Sequence, residues 1–146
     1  MDTPPKVSTP GQAQGLETIL VVDDEAPVRS LATRALEARG YRVLVATDGV
    51  EALSVADAYP DPIHLLLTDI VMPHGNGVSL SRTLMAKRRE MIVLYMSGYR
   101  ADTLQLVAEV IAPGRILQKP FTMETLVERV RAVLDEVTSE PSPPRA

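Results

Sequence analysis

The feature that most constrains this chain is an alternation. Short, uninterrupted apolar runs of strand length are separated by segments whose apolar residues recur at helical spacing. Thr18 to Val22 (TILVV) is such a run, continuous as expected of a strand buried on both faces. Pro27 then suits the first turn of a helix, Val28, Leu31, Ala32, Ala35 and Leu36 follow one helical stripe, and Gly40 ends it. Arg42 to Ala46 reads as a second strand. Asp48 followed by Glu51 has the spacing of a capping box for a helix reaching Ala58, and Tyr59 to Pro62 is a turn.

The pattern repeats downstream. Leu65 to Thr68 reads as a third strand, Gly75, Asn76 and Gly77 as a loop, and Val78, Leu80 and Leu84 as the apolar side of a helix ending in Lys87, Arg88 and Arg89. Met91 to Met96 is a fourth strand, a helix is expected from about Asp102 to Val110, and Arg115 to Gln118 is a short fifth strand. Thr122 caps a last helix with Met123, Leu126, Val127, Val130 and Leu134 on one side. Five strands alternating with five helices imply an α/β fold, a parallel sheet covered on both faces.

Residues 17–137 form the single domain of this reading. Residues 1–16 and 138–146, rich in Pro, Ser, Gly and Thr, read as flexible tails. The chain has no cysteine, which excludes disulfides and disfavours zinc. A net charge of −4 without a basic block gives no footprint for nucleic acid. No signal peptide or membrane span is visible, so a cytoplasmic location is expected.

In open α/β sheets, ligands bind beyond the carboxyl ends of the strands. Here those ends carry Asp23, Asp24 and Glu25, then Asp69, then Ser97 and Gly98, then Lys119 and Pro120. Converging carboxylates repel unless one is protonated or a cation is bound, and hard oxygen ligands suit Mg²⁺. A carboxylate nucleophile, a divalent cation, a lysine and a hydroxyl make a phosphoryl-transfer set. Each residue also has a plainer reading. Asp23 and Asp24 suit a helix N-terminus, Asp69 suits a turn, and Lys119–Pro120 suits an exposed structural bend. His64 and His74 read as structural or solvated. Met72, Met85, Met91 and Met96 read as core, and Arg29, Arg34 and Arg39 as a solvated helix face.

The segments ILVVDDE, LLLTDIVMP, LYMSGY and ILQKPF, in this order, resemble the receiver domain of two-component response regulators, most of all receivers associated with hybrid histidine kinases. The resemblance implies a flavodoxin-like, doubly wound (βα)5 fold with strand order 2-1-3-4-5. It implies that Asp69 is the phosphoacceptor of a phosphorelay. Asp23, Asp24, Asp69 and the backbone carbonyl of Val71 would hold Mg²⁺, Asp23 through water. Ser97 and Lys119 would bind the phosphoryl oxygens, with Pro120 following a cis peptide bond. A histidine kinase or histidine phosphotransfer protein would be the donor and a protein the unknown target. Apart from the resemblance, the charge balance and the lack of a long apolar run lead to an expectation of no direct DNA binding and no membrane association.

Such a domain is a signalling switch, not an enzyme beyond its own phosphorylation and dephosphorylation. Its output face would comprise the fourth helix, fifth strand and fifth helix, including Leu104, Val107 and Ile116, and is a possible homodimer contact. Ile116 stands where many receivers carry a mobile aromatic residue, and Tyr99 could cover the site. A phosphorylation-independent interaction module with a vestigial site is the alternative. A phosphohydrolase would want an acid at the position of Val71, and a mononucleotide enzyme would want a P-loop after the first strand.

Overall fold

The computed structural model describes residues 17–72, 75–98, 111 and 113–139. Its central sheet has five strands: β1 (Thr18–Val22), β2 (Arg42–Ala46), β3 (Leu65–Asp69), β4 (Ile92–Ser97) and β5 (Ile116–Gln118). All neighbours pair in parallel, in the order β2-β1-β3-β4-β5. This is the flavodoxin-like order. The order in which successive strands are added reverses at β1, with β2 on one side and β3 on the other, and such a switch point opens a crevice at the strands' carboxyl ends.

Among the described residues the α-helices are α1 (Ala26–Glu37), α2 (Gly49–Ala58), α3 (Gly77–Lys87) and a C-terminal helix (Met123–Ser139), which continues beyond Val137. Alternation along the strands divides the interior into two cores. Ile19, Val21, Leu65, Leu67, Leu94 and Met96 face α1 and the C-terminal helix. Leu20, Val22, Leu66, Val93 and Tyr95 face the side of α2 and α3. β1 and β3 are buried along their whole length, so neither shows polar alternation. β2 is an edge strand, with Arg42 and Val45 exposed.

Local signals set the element ends. Asp48 accepts a hydrogen bond from the Glu51 amide at 2.9 Å, as its spacing predicts, while the Glu51 carboxylate takes the Thr47 amide at 2.6 Å. Thr122 Oγ1 accepts from the Thr125 amide at 3.0 Å. Gly40 adopts φ 90° in the turn after α1, a conformation open to glycine and strained for other residues.

Three expectations change. The 75–77 segment is not simply a loop: Gly75–Asn76 pairs antiparallel with Val71–Met72, and Asn76 caps α3 by accepting from the Ser79 amide at 2.8 Å. Met85 is exposed, because Leu80 and Leu84 define the buried stripe of α3 and the next residue is rotated off it. Met123 is also exposed: it is in line with Leu126 and Val127 but is the first residue of its helix. The helix expected at Asp102 to Val110, together with Leu104, Val107, Tyr99 and His74, lies outside the described residues.

Candidate functional site

Parallel pairing delivers four strand ends to one edge of the sheet. Asp23 follows β1 and is fully buried, and its amide donates to the Ala46 carbonyl at 3.2 Å. Its Oδ1 accepts from the Glu25 amide at 2.8 Å, while Arg29 holds its carbonyl at 2.8 Å. Asp24 is exposed beside it. Asp69 closes β3, is nearly buried, and its Oδ1 accepts from the Val71 amide at 3.3 Å. Ser97 closes β4, buried, and its carbonyl accepts from the Lys119 amide at 2.8 Å, which fixes where the lysine leaves β5. The Lys119–Pro120 peptide is cis.

Lys119 Nζ lies 3.0 Å from Asp69 Oδ2, 2.9 Å from Asp23 Oδ2 and 3.4 Å from Glu25 Oε1. The Asp23 contact is at ion-pair distance but outside hydrogen-bond geometry. Asp23 Oδ2 is therefore a buried carboxylate oxygen that accepts no hydrogen bond among the described residues. An oxygen so placed is costly without further positive charge.

Burial drives the Asp69 carboxyl above its ordinary pKa. Lys119 pulls it back down through its hydrogen bond and charge, and Asp23 pushes it further up. For the Lys119 ammonium, burial acts downward, but the carboxylates of Asp23 and Asp69 outweigh it and raise the pKa, so the lysine stays charged. Ligand oxygens of Asp23, Asp24 and Asp69 all lie within 4.8 Å of one another. That spacing, the hard oxygen donors and the orphaned Asp23 Oδ2 suit a small divalent cation.

Beside the acids lies a cavity of about 170 Å³, lined by Glu25, Asp69, Ile70, Val71, Ser97, Gly98 and Lys119. Behind Asp69 there is a close contact: Gly77, at the start of α3, sits so near the Asp69 carbonyl that an added Cβ would collide with that oxygen. The sequence-predicted Asp23, Asp24, Asp69, Ser97 and Lys119 thus meet at one edge, and Val71 lies at the rim with its side chain exposed. Ile116 is half-buried and pairs in register with Tyr95, away from the cavity lining. Glu25, assigned no role from the sequence, is the third carboxylate on Lys119. Its place in the acidic run after β1 was the available signal.

Residues 19–131 match the family described as response regulator receiver domain. The chain belongs to this family. It is 33% identical over 131 residues to the sensor kinase CckA of Brucella abortus (strain 2308), covering 90% of this chain and 14% of that protein. To the transcriptional regulatory protein CpxR of Escherichia coli (strain K12) it is 36% identical over 120 residues, covering 82% of this chain and 50% of CpxR. The receiver therefore spans half or less of these curated relatives.

Among solved structures, the receiver domain of the hybrid histidine kinase CckA is 38% identical, with a TM-score of 0.61 over 80% of this chain and 98% of that one. A CheY-like receiver domain protein from Methanospirillum hungatei JF-1 is 27% identical, with a TM-score of 0.72 over 86% and 98%. The chain is thus a receiver of two-component signalling, a switch module of the kind that interacts with histidine kinases or phosphotransfer proteins. No helix among the described residues is long and apolar enough to cross a membrane.

Proposed function

We propose that this receiver accepts a phosphoryl group on Asp69 from a phosphohistidine donor, a histidine kinase or a histidine phosphotransfer protein, in the cytoplasm. The observation that carries the reading is the position of Lys119 Nζ, 3.0 Å from Asp69 Oδ2 and 2.9 Å from Asp23 Oδ2, in a chain of the response regulator receiver family. One Asp69 carboxylate oxygen attacks phosphorus, the bond to the donor nitrogen breaks, and the imidazole leaves with that electron pair. Lys119 stays protonated through the step and follows the phosphoryl oxygens, and the Ser97 hydroxyl donates to another of them. The nearly buried position of Asp69 excludes most bulk water from the acyl phosphate.

Asp23, Asp24, Asp69 and the Val71 carbonyl would hold Mg²⁺. When bound, the ion supplies neutralisation of charge on the phosphoryl oxygens. Residues 17–137 act as the switching unit, and its output reaches a protein partner without direct contact to DNA. The face around β5 and the C-terminal helix is the proposed output surface and a possible homodimer contact. Phosphorylation works by favouring one of two states already in equilibrium. Because Ile116 offers no aromatic ring, the movement on this reading is that of Ser97 toward the phosphoryl group.

Intact mass spectrometry after incubation with acetyl phosphate and Mg²⁺ tests the proposal. One added phosphoryl group, absent in Asp69→Asn and in EDTA, is the expected result. No addition from acetyl phosphate or from a phosphohistidine protein would favour an interaction module that works unphosphorylated.

A further inference from the structure

Glu25 stands apart from the other acids at this edge. Its carboxylate is exposed, whereas those of Asp23 and Asp69 are buried or nearly so, yet its Oε1 reaches Lys119 Nζ at 3.4 Å. It also lines the 170 Å³ cavity in which a phosphoryl group would sit. Glu25 is the N-cap residue of α1, but the capping is done by its backbone: the Glu25 carbonyl accepts from the Val28 and Arg29 amides at 3.1 Å each, and its side chain makes no cap hydrogen bond. The carboxylate is therefore not needed to start the helix. An ion pair this exposed adds little stability. What the carboxylate does add is negative charge at the cavity mouth and a third claim on the one lysine that lines the cavity.

We propose that Glu25 is a specificity-determining residue of the phosphoacceptor cavity, one that biases the site against small, doubly charged phosphate donors. The inference rests on the reading of Asp69 as phosphoacceptor. Two effects act in one direction. The Glu25 carboxylate repels an approaching anion in proportion to that anion's charge. It also holds the Lys119 ammonium, which must turn toward the incoming phosphoryl oxygens. A phosphohistidine on a docked protein is less affected, because the partner surface supplies its own contacts to bring the phosphoryl group in.

The two small donors that separate these effects are acetyl phosphate, doubly charged near neutral pH, and phosphoramidate, singly charged. With acetyl phosphate, an Asp69 oxygen bonds to phosphorus as the P–O bond to the acetyl group breaks, and acetate leaves with the electron pair. With phosphoramidate the P–N bond breaks, and the protonated nitrogen leaves as ammonia. Both leave the same acyl phosphate on Asp69.

Rates of phosphoprotein formation are to be measured by intact mass for wild type, Glu25→Gln and Glu25→Lys, with each donor, in Mg²⁺ at low and high salt. The expected result is a gain with acetyl phosphate in Glu25→Gln at least about threefold larger than the gain with phosphoramidate. Glu25→Lys should widen the ratio. High salt should shrink it, as the screening length falls from about 10 Å at 0.1 M to about 3 Å at 1 M. Equal changes with both donors, or a ratio indifferent to charge reversal and salt, would overturn the proposal while leaving Asp69 as acceptor. A wild type that takes phosphate from neither donor, nor from a phosphohistidine protein, would overturn the functional reading and this inference together.

Discussion

Asp69 is held against its own charge. Burial raises its pKa, Lys119 only partly offsets this, and Asp23 adds to it. A carboxyl whose folded pKa exceeds its unfolded value binds its proton more tightly in the folded state. Stability then falls as pH rises from the ordinary carboxyl range through the raised folded value, and at neutral pH the full cost is present. Asp69→Asn keeps the shape and removes the charge, so its Tm at pH 7 should exceed that of wild type. The gap should narrow as pH is lowered toward the ordinary carboxyl range, and thermal melts at stepped pH would show it. A variant that melts below wild type at neutral pH would refute the buried-charge argument. Cation binding should relieve the same repulsion. Mg²⁺ at a hundredfold excess over Kd is expected to add about 2.7 kcal/mol to wild-type stability. Most of that gain should vanish in Asp24→Asn, whose exposed side chain can lose its charge without disturbing packing.

At the scale of elements, α2 and α3 depend on contacts that no periodicity announces. Arg88 donates to the carbonyls of Ala56 at 2.8 Å, Tyr59 at 2.7 Å and Asp61 at 2.8 Å, closing the end of α2 and the loop after it. From the sequence, Arg88 reads only as a cation suited to the dipole at the end of its own helix. The pairing reaches back some thirty residues and leaves no spacing signal. Arg88→Ala should cost roughly 1–3 kcal/mol in urea unfolding, since it removes three hydrogen bonds, among them the one to the partly buried Tyr59 carbonyl. Gly77 is a parallel case. It reads as a loop glycine, but its use is the approach of α3 to the Asp69 carbonyl. Gly77→Ala gains helix propensity yet forces that helix start away from β3. The net outcome should be a loss of roughly 1–3 kcal/mol, with slower phosphorylation of Asp69. A stability equal to or above wild type would mean that the backbone yields at no cost.

Over the whole molecule, legibility followed the range of the physical signal. β1 and β3 are fully buried runs that end in acids, so their sequence period, their parallel pairing and their place at the site come from one observation. Asp69 and Lys119 lie 50 positions apart, yet both were readable because topology brings every strand end to one edge. Side-chain pairings between distant segments were not readable, and the largest closes the fold at the start of β1. Arg131, on the C-terminal helix, reaches Glu17 with both terminal nitrogens, at 3.1 and 3.2 Å, and donates to the Tyr41 hydroxyl at 2.8 Å. Its guanidinium also stands 6.0 Å from the Tyr41 ring centre. Arg131 further bonds Asp135 on its own helix at 2.9 Å, so the group is a network and not an isolated pair. For the Arg131 guanidinium burial acts downward, but the carboxylates of Glu17 and Asp135 more than offset it. Both side chains of the Glu17–Arg131 pair are partly shielded, which makes this pair stronger than an exposed one. A double-mutant cycle with Glu17→Gln and Arg131→Met should return a coupling of roughly 0.5–3 kcal/mol by chemical denaturation. Because the contact joins the first strand to the last helix, its loss should also speed hydrogen exchange at both ends of that span, and not in α2 or α3. A coupling near zero would mean that the apolar packing of the C-terminal helix against α1 and the sheet docks it without this pair.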